Sequence, residues 1–219
     1  MSARDGEAPR DEPVHGDHDD GYDELYRDTA DSGGPPWDIG GPQPALAAVL
    51  DHVKGPKVLD IGCGTGDLAI ALARRGHRVT AVDISRVAID LARAKAAREG
   101  LPVHFEVQDA TDLSLPSAPF DSVFDSGLLH SLHRNGAALD RYLASLPGLA
   151  APGATVFVLA VSPEAGHGWG LTAQELRASF AGPEWTGTDV TKTDVVAETG
   201  GPTLHLAGHL LRTTRARDA

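Results

Sequence analysis

The fold of this chain is decided by residues 57–69, which read KVLDIGCGTGDLA. An apolar run typical of a buried parallel strand leads into a turn with three glycines, and an apolar-faced helix follows. A second apolar strand then ends at Asp83. A strand, a glycine turn, a helix and a second strand with a carboxylate at its tip form half of a nucleotide-binding α/β unit.

The charges around this turn indicate which kind of ligand it accepts. Gly62, Gly64 and Gly66 let the backbone bend sharply and lie against a ligand. Dinucleotide sites use the spacing G-x-G-x-x-G and place a diphosphate at the helix N-terminus. Here the spacing is G-x-G-x-G, with Asp60 before the turn and Asp67 opening the helix, so a diphosphate would meet negative charge. The turn therefore predicts a cationic ligand, whose ammonium Asp60 can meet directly or through a water.

The carboxylate of Asp83 predicts a ribose in the same ligand. A carboxylate at the tip of the second strand can accept hydrogen bonds from both ribose hydroxyls. Taken alone, the glycine run is compatible with an ordinary strand-to-helix turn, and Asp83 with a helix cap before Ser85. Their order and spacing together favour the ligand site.

Hydrophobic periodicity predicts the remaining elements. A helix from Ser85 to about residue 99 should end at Gly100, and a helix around residues 139–146 should end or kink at Pro147. Further helices are expected from residue 42 or 44 to 53, at 67–75, and after a capping box at 172–175. We predict strands at 57–61, 78–83, 103–108, 120–125, 155–161, 184–195 and 203–212. The fold class is α/β, a doubly wound seven-stranded, mostly parallel Rossmann-like sheet with an antiparallel C-terminal hairpin.

Composition and charge limit the classes of function. A chain of 219 residues with 41% hydrophobic content suits one α/β domain, with no secretory signal or apolar run long enough for a membrane span. We therefore expect a cytoplasmic protein without a membrane partner, and the single cysteine, Cys63, fits a reducing compartment. We expect residues 21–54 to form an N-terminal lid and helix, and residues 55–219 to form the ligand-binding domain.

The acidic charge is concentrated at the N-terminus. Residues 1–33 contain eleven Asp and Glu against three Arg, which accounts for most of the net charge of −12. Residues 1–20 have few apolar groups and should form a disordered acidic tail. The stretch at 15–20 contains His and Asp but has no apolar scaffold, so we expect no metal site there. The lack of a basic patch argues against nucleic acid as a partner.

Residues 40–213 resemble the class I S-adenosylmethionine-dependent methyltransferases, because several motifs match in order. The resemblance implies S-adenosylmethionine as cofactor, with the glycine turn at its methionine part and the two strand tips at its ribose and adenine. The implied contacts are Gly62, Cys63 and Gly64 with the methionine part, Asp60 with its ammonium, Asp83 and Ile84 with the ribose, Asp109 and Ala110 with the adenine, and Ser126 with the methionine end and the acceptor.

A narrower resemblance comes from residues 35–44, PPWDIGGPQP. They are similar to a segment of the thiopurine, thiol and halide methyltransferases and related heterocycle-methylating enzymes. The resemblance implies that Trp37 borders the sulfonium and shapes the acceptor pocket, and that Tyr22 and Tyr26 lie on a short lid helix. An aromatic face also suits a cationic sulfonium. The alternative is a linker tryptophan packed on the core surface.

Four further residues are candidates for the acceptor side. His130 and His133 lie just beyond the fourth strand, where they can remove a proton from a phenol, carboxylic acid or N–H heterocycle. A thiolate or a basic ring nitrogen needs no base. His167 and Trp169 lie in a glycine-rich segment after the fifth strand and can wall the acceptor pocket. For each residue, an ordinary loop or helix role remains the alternative.

The sequence hypothesis is a methyltransferase acting on nitrogen, sulfur or oxygen of a small aromatic or heterocyclic acceptor, in detoxification or in tailoring of a secondary metabolite. The short lid and the lack of a large inserted domain favour a small acceptor over a protein. A non-catalytic S-adenosylmethionine-binding protein is the alternative. A nicotinamide-dependent oxidoreductase is disfavoured by the aspartates that flank the turn.

Overall fold

The computed structural model describes residues 17–30 and 33–217, and a seven-stranded sheet forms its centre. The strands are β1 (Lys57–Ile61), β2 (Arg78–Asp83), β3 (His104–Val107), β4 (Phe120–Ser126), β5 (Ala150–Val161), β6 (Trp185–Ala197) and β7 (Leu204–Arg215). Their spatial order is β3-β2-β1-β4-β5-β7-β6. Neighbouring strands from β3 to β5 pair in parallel, whereas β7 pairs antiparallel with both β5 and β6. The predicted α/β fold with an antiparallel C-terminal hairpin is confirmed.

Helices cover both faces of this sheet. They are α1 (Asp17–Asp28), α2 (Pro44–Ala47), α3 (Asp67–Arg74), α4 (Arg86–Arg98), α5 (Leu128–Leu132), α6 (Gly136–Leu149) and α7 (Ala173–Ser179). Because side chains alternate along a strand, Val58 packs on the face covered by α2, α3 and α4, while Leu59 packs on the face covered by α5, α6 and α7. No helix among the described residues is long and apolar enough to cross a membrane.

Two local predictions differ from the structure. The helix α6 passes through Pro147 and ends at Leu149, because Leu146 and Leu149 are both buried and their packing outweighs the one hydrogen bond that proline removes. The helix expected up to residue 53 is only α2 and a 3₁₀ turn at Leu50–His52. The buried Ser122 hydroxyl donates to the backbone carbonyl of Lys54 and accepts from its N–H, which fixes where the chain turns into β1.

The N-terminal boundary also differs. Residues 17–20, expected to belong to the disordered tail, form the first turn of α1. Residues 1–16, the rest of the predicted tail, lie outside the described residues.

Candidate active site

A cavity of about 930 Å³ opens at the carboxyl ends of β1, β2 and β4. The connections from β1 and β4 leave the sheet in opposite directions here, because β2 lies on one side of β1 and β4 on the other. Such a switch point is where open α/β sheets bind ligands. The wall contains every cofactor residue predicted from the sequence: Trp37, Asp60, Gly62, Cys63, Gly64, Asp83, Ile84, Asp109, Ala110 and Ser126.

The glycine turn is held against the second strand. The amides of Gly62 and Cys63 both donate to the carbonyl of Val82, at 2.8 and 3.0 Å. Gly64 has φ of +52°, and a Cβ there would lie 2.9 Å from the hydroxyl of Tyr26. Gly66 has φ of +84°, and its Cβ would lie 2.8 Å from the methyl group of a helix residue, Ala92. Glycine is therefore required at these two positions by backbone conformation and by close approach.

The carboxylate of Asp83 joins this turn to the start of α4. Its Oδ2 accepts from Gly64 N at 2.8 Å and its Oδ1 from Ser85 N at 2.9 Å. Burial raises the pKa of Asp83, against which these backbone hydrogen bonds act. Each carboxylate oxygen can accept more than one hydrogen bond, so both retain capacity for ribose hydroxyls.

A second buried carboxylate, Asp60, has little to offset its burial, since the only opposing influence among the described residues is the backbone amide of Ala69. It is 0% exposed, and neither of its oxygens has a hydrogen-bond partner among the described residues. Burial, and then the charge of Asp125, raise the pKa of Asp60 to about 8. Asp125 is also fully buried, but it accepts from the amides of Leu128 and Leu129 and from the Tyr142 hydroxyl. The orphaned carboxyl of Asp60 fits a cofactor that brings its own positive charge.

The lid helix α1 lies over the glycine turn. Tyr26 is buried, and its hydroxyl accepts a 3.2 Å hydrogen bond from the Trp37 indole N–H. The two rings meet edge to face, with centroids 6.4 Å apart. Trp37 is 45% exposed and Tyr22 is half-buried, and both line the cavity. The predicted lid residues are therefore at the cavity mouth.

The segment that carries Trp37 is clamped from both sides. On one side the Thr65 hydroxyl donates to Asp38 at 2.7 Å, and Lys95 lies 3.6 Å from the same carboxylate. On the other side Gln43 makes two hydrogen bonds to the backbone of Val196, donating to its carbonyl and accepting from its amide. This second clamp joins residues 153 positions apart, and no local pattern in the sequence indicates it.

His130 lines the main cavity beside Trp169. Its Nδ1 accepts from the amide of Val161 at 3.3 Å, and burial lowers the pKa of the imidazole to about 4. The rings of His130 and Trp169 stack with centroids 5.2 Å apart and an interplanar angle of 29°. The imidazole is therefore held in one orientation, and it is neutral at physiological pH.

The other two predicted histidines lie elsewhere. His133 and His167 line a separate cavity of about 400 Å³ and are absent from the wall of the main one. His133 Nε2 is 3.9 Å from Glu175, and its Nδ1 is buried without a partner among the described residues. Arg134 and Trp169 line both cavities, so the two spaces adjoin. Of the two histidines predicted after β4, His130 lines the main cavity and His133 does not.

Several wall residues were not predicted from the sequence. They come from several separate parts of the chain, and none was assigned a role from the sequence, although Gln43 lies in the segment 35–44. They are Gln43, Gln108, Thr111, Arg134, Arg141, Val195, Val196, Ala197 and Leu206.

Comparison with known proteins gives a consistent result. Residues 58–153 match a family model described as a methyltransferase domain. A 2-heptyl-1-hydroxyquinolin-4(1H)-one methyltransferase of Mycobacteroides abscessus is 34% identical over 177 residues, which cover 76% of this chain and 75% of that protein.

Two solved structures are also similar over nearly the whole chain. One, described as the conversion of a disulfide bond into a thioacetal group during echinomycin biosynthesis, is 33% identical, with a TM-score of 0.81 and coverage of 92% of this chain and 94% of that one. The other is the 1,6-didemethyltoxoflavin-N1-methyltransferase of Burkholderia thailandensis, bound to 1,6-didemethyltoxoflavin and S-adenosylhomocysteine. It is 27% identical, with a TM-score of 0.68 and coverage of 96% and 95%.

Proposed function

Because this chain belongs to the class I S-adenosylmethionine-dependent methyltransferases, we propose that it methylates a nitrogen, sulfur or oxygen atom of a small, planar heterocyclic acceptor. The observation that carries this proposal is the continuity of the main cavity. Its lining includes both the acidic glycine turn and the aromatic side chains of Trp37, His130 and Trp169.

The relatives support the range of acceptors. One acts on a hydroxyquinolone and another is an N1-methyltransferase of 1,6-didemethyltoxoflavin, and both compounds are fused planar heterocycles. The third relative is described by the conversion of a disulfide bond into a thioacetal group, which is a reaction at sulfur atoms. Flat aromatic walls favour planar ligands, since stacking adds to the burial of apolar surface.

The residues of the cavity suggest separate roles in binding the cofactor and in excluding water. Bound there, S-adenosylmethionine supplies an electrophilic methyl group on a positively charged sulfur. Asp60 would face its ammonium, Asp83 its ribose and Asp109 its adenine, because they lie in β1, at the end of β2 and just after β3, which are neighbours in that order in the sheet. Trp37 would cover the sulfonium, and Tyr26 on the lid would exclude water. Alignment and exclusion of water are the main requirements of such an in-line transfer.

The test is to measure S-adenosylhomocysteine release from a panel of hydroxyquinolones, N–H heterocycles, phenols and thiols, with product masses. We expect turnover and a product heavier by one methylene with the planar heterocycles. Binding of S-adenosylmethionine with no turnover on any member would instead favour a non-catalytic cofactor-binding protein.

A pair of variants tests the cofactor site within this proposal. Asp109→Asn should weaken S-adenosylhomocysteine binding by roughly tenfold, because a carboxylate accepts hydrogen bonds from an amino group more strongly than an amide does. Asp112→Asn lies in the same 3₁₀ turn but outside the cavity wall, and it should leave the affinity unchanged. Equal effects in calorimetry would contradict the assignment.

A further inference from the structure

The main cavity is divided by charge. Its acidic wall residues all precede residue 110, and two of them, Asp38 and Asp67, pair with Lys95. Among the described wall residues from 110 onward there is no Asp or Glu. These later wall residues include His130, Arg134 and Arg141 instead. The carboxylates of the wall therefore come from the segments before residue 110, and the charged side chains after it are the two arginines.

Arg134 is free to meet a ligand. It forms no ion pair or hydrogen bond with any residue in the part of the chain that the structure describes. Arg134 is an exposed residue that lines both cavities, as Trp169 does, and none of the described residues that line the smaller cavity is a carboxylate. An arginine in such surroundings favours an anion.

The proton of His130 can be placed from its hydrogen bond. The backbone amide of Val161 can only donate, so the ring nitrogen that it meets, Nδ1, must be the unprotonated one. In a neutral imidazole the proton is then on Nε2. Nε2 has no partner within the described residues and is not among the enclosed unpaired atoms, so it retains access to open space. His130 therefore presents an N–H donor, not a lone pair, to the cavity that it lines.

The backbone of Val161 contacts both the ring of His130 and the loop that carries Trp169. Its carbonyl accepts from the amide of Leu171 at 2.8 Å, while its amide holds His130. A Cβ on Gly170, whose φ is +128°, would lie 2.6 Å from the same carbonyl, so the loop with Trp169 can approach only with glycine there. The backbone of Val161 thus holds both the His130 ring and the residues directly after Trp169.

We infer that the acceptor binds as an anion: a planar ring packs against Trp169 beside the His130 and His167 rings that stack on it, a negatively charged oxygen conjugated with that ring accepts a hydrogen bond from His130 Nε2, and Arg134 adds a positive charge in the same cavity. This inference rests on the proposed function and specifies the acceptor class of the same site. It replaces the role of general base that the sequence suggested for His130.

The chemistry balances without a proton acceptor on the protein. The acceptor has lost its proton before it binds, so a lone pair of the conjugated anion forms the new bond to the methyl carbon. The sulfur keeps the electron pair of the bond that breaks. The negative charge of the acceptor and the positive charge of the sulfonium cancel, and no proton is taken up.

The test compares two ligands that differ in the acidic group. Binding of 1-hydroxyquinolin-4(1H)-one and of quinolin-4(1H)-one to the protein saturated with S-adenosylhomocysteine is measured by calorimetry at about pH 8, where only the first should ionise. We expect the hydroxylated ligand to bind at least about tenfold more tightly, as is typical of charge-assisted hydrogen bonds. Equal affinity, or no binding of the hydroxylated ligand while S-adenosylhomocysteine still binds, would overturn the inference.

Variants at His130 distinguish a role as hydrogen-bond donor from a role as general base. His130→Gln retains an N–H donor and should keep the preference for the anion within about threefold, whereas His130→Phe keeps a flat ring without a donor and should lose it. His52→Phe, at an exposed site outside the cavity, should change nothing. Equal loss in the Gln and Phe variants would contradict a donor role.

The protonation of the His130 ring can also be measured directly on the unmodified protein, without a ligand. A long-range proton–nitrogen NMR spectrum of the histidine rings should show Nδ1 of His130 unprotonated and Nε2 protonated between about pH 6 and 8. The reverse assignment would overturn the inference, while failure to bind S-adenosylhomocysteine at all would count against the proposed function instead.

Discussion

At Asp60 the folded protein buries a carboxyl group whose ionisation is opposed by its surroundings. The buried carboxyl is protonated near neutral pH, since burial and the charge of Asp125 raise its pKa to about 8. The folded state thus binds a proton that the unfolded state has released between about pH 4 and 8. The contribution of Asp60 to the free energy of unfolding is therefore largest below about pH 4, and it falls as the pH rises from about 4 to about 8.

Replacing Asp60 by Asn tests this at the level of one residue. Asp60→Asn should raise the free energy of unfolding of the ligand-free protein at about pH 8 by ~2 kcal/mol, because it removes an ionisable group that is buried unpaired. The same variant should weaken S-adenosylhomocysteine binding, because the ammonium loses its anionic partner. Denaturant unfolding from about pH 5 to 8 measures the first effect, and calorimetry the second.

The control for Asp60 is Asp140→Asn. Asp140 is exposed on α6 and outside the cavity wall, so its replacement should leave both the pH dependence and the cofactor affinity as they are. A stability difference between Asp60→Asn and the unmodified protein that does not change with pH would contradict the assigned ionisation.

At the scale of elements, α1 is attached to α4 by one carboxylate. Asp23 Oδ1 accepts from the Ser85 hydroxyl at 2.6 Å and from the Val87 amide at 3.2 Å, beside the strand tip that carries Asp83. Burial opposes ionisation of Asp23, but the hydrogen bonds from Ser85 and Val87 and the charge of Arg27 act more strongly and lower its pKa. The lid thus closes over the turn through a charged cap at a helix N-terminus.

Removing this contact should loosen the lid. Asp23→Ala should increase the dissociation rate of S-adenosylhomocysteine by roughly tenfold, in line with the loss of charged hydrogen bonds, and should speed amide exchange in α1. Glu24→Ala, exposed on the same helix, serves as the matched control and should do neither. Release of the ligand can be measured by stopped-flow displacement. If both variants release it at the rate of the unmodified protein, the proposed role of Asp23 in holding the lid closed is contradicted.

The elements also show which features are encoded locally. The strands β1 and β2, the Ser85 cap and the capping box at Thr172 were predicted correctly, because each depends on residues within one turn or one strand. Of the two outcomes predicted at Pro147, an end or a kink, α6 does not end there but continues to Leu149, since burial of Leu149 in the core outweighs the local preference of proline.

For the whole molecule, the cofactor half of the cavity was more predictable than the acceptor half. The turn and the strand tips at Asp83 and Asp109 follow from consecutive motifs. The proton position on His130 depends on Val161, 31 residues away, and the clamp on the Trp37 segment joins Gln43 to β6. Such contacts arise only when the chain is folded, so periodicity and motif spacing do not reveal them.

The most direct test of the account is a crystal structure with S-adenosylhomocysteine and 1-hydroxyquinolin-4(1H)-one. We predict the ammonium beside Asp60, the ribose at Asp83, the quinolone ring against Trp169, and an oxygen of that ring within hydrogen-bond distance of His130 Nε2. A cofactor in another orientation, or an acceptor bound outside the space between Trp37 and Trp169, would contradict the central claim that one cavity, divided by charge, brings donor and acceptor together.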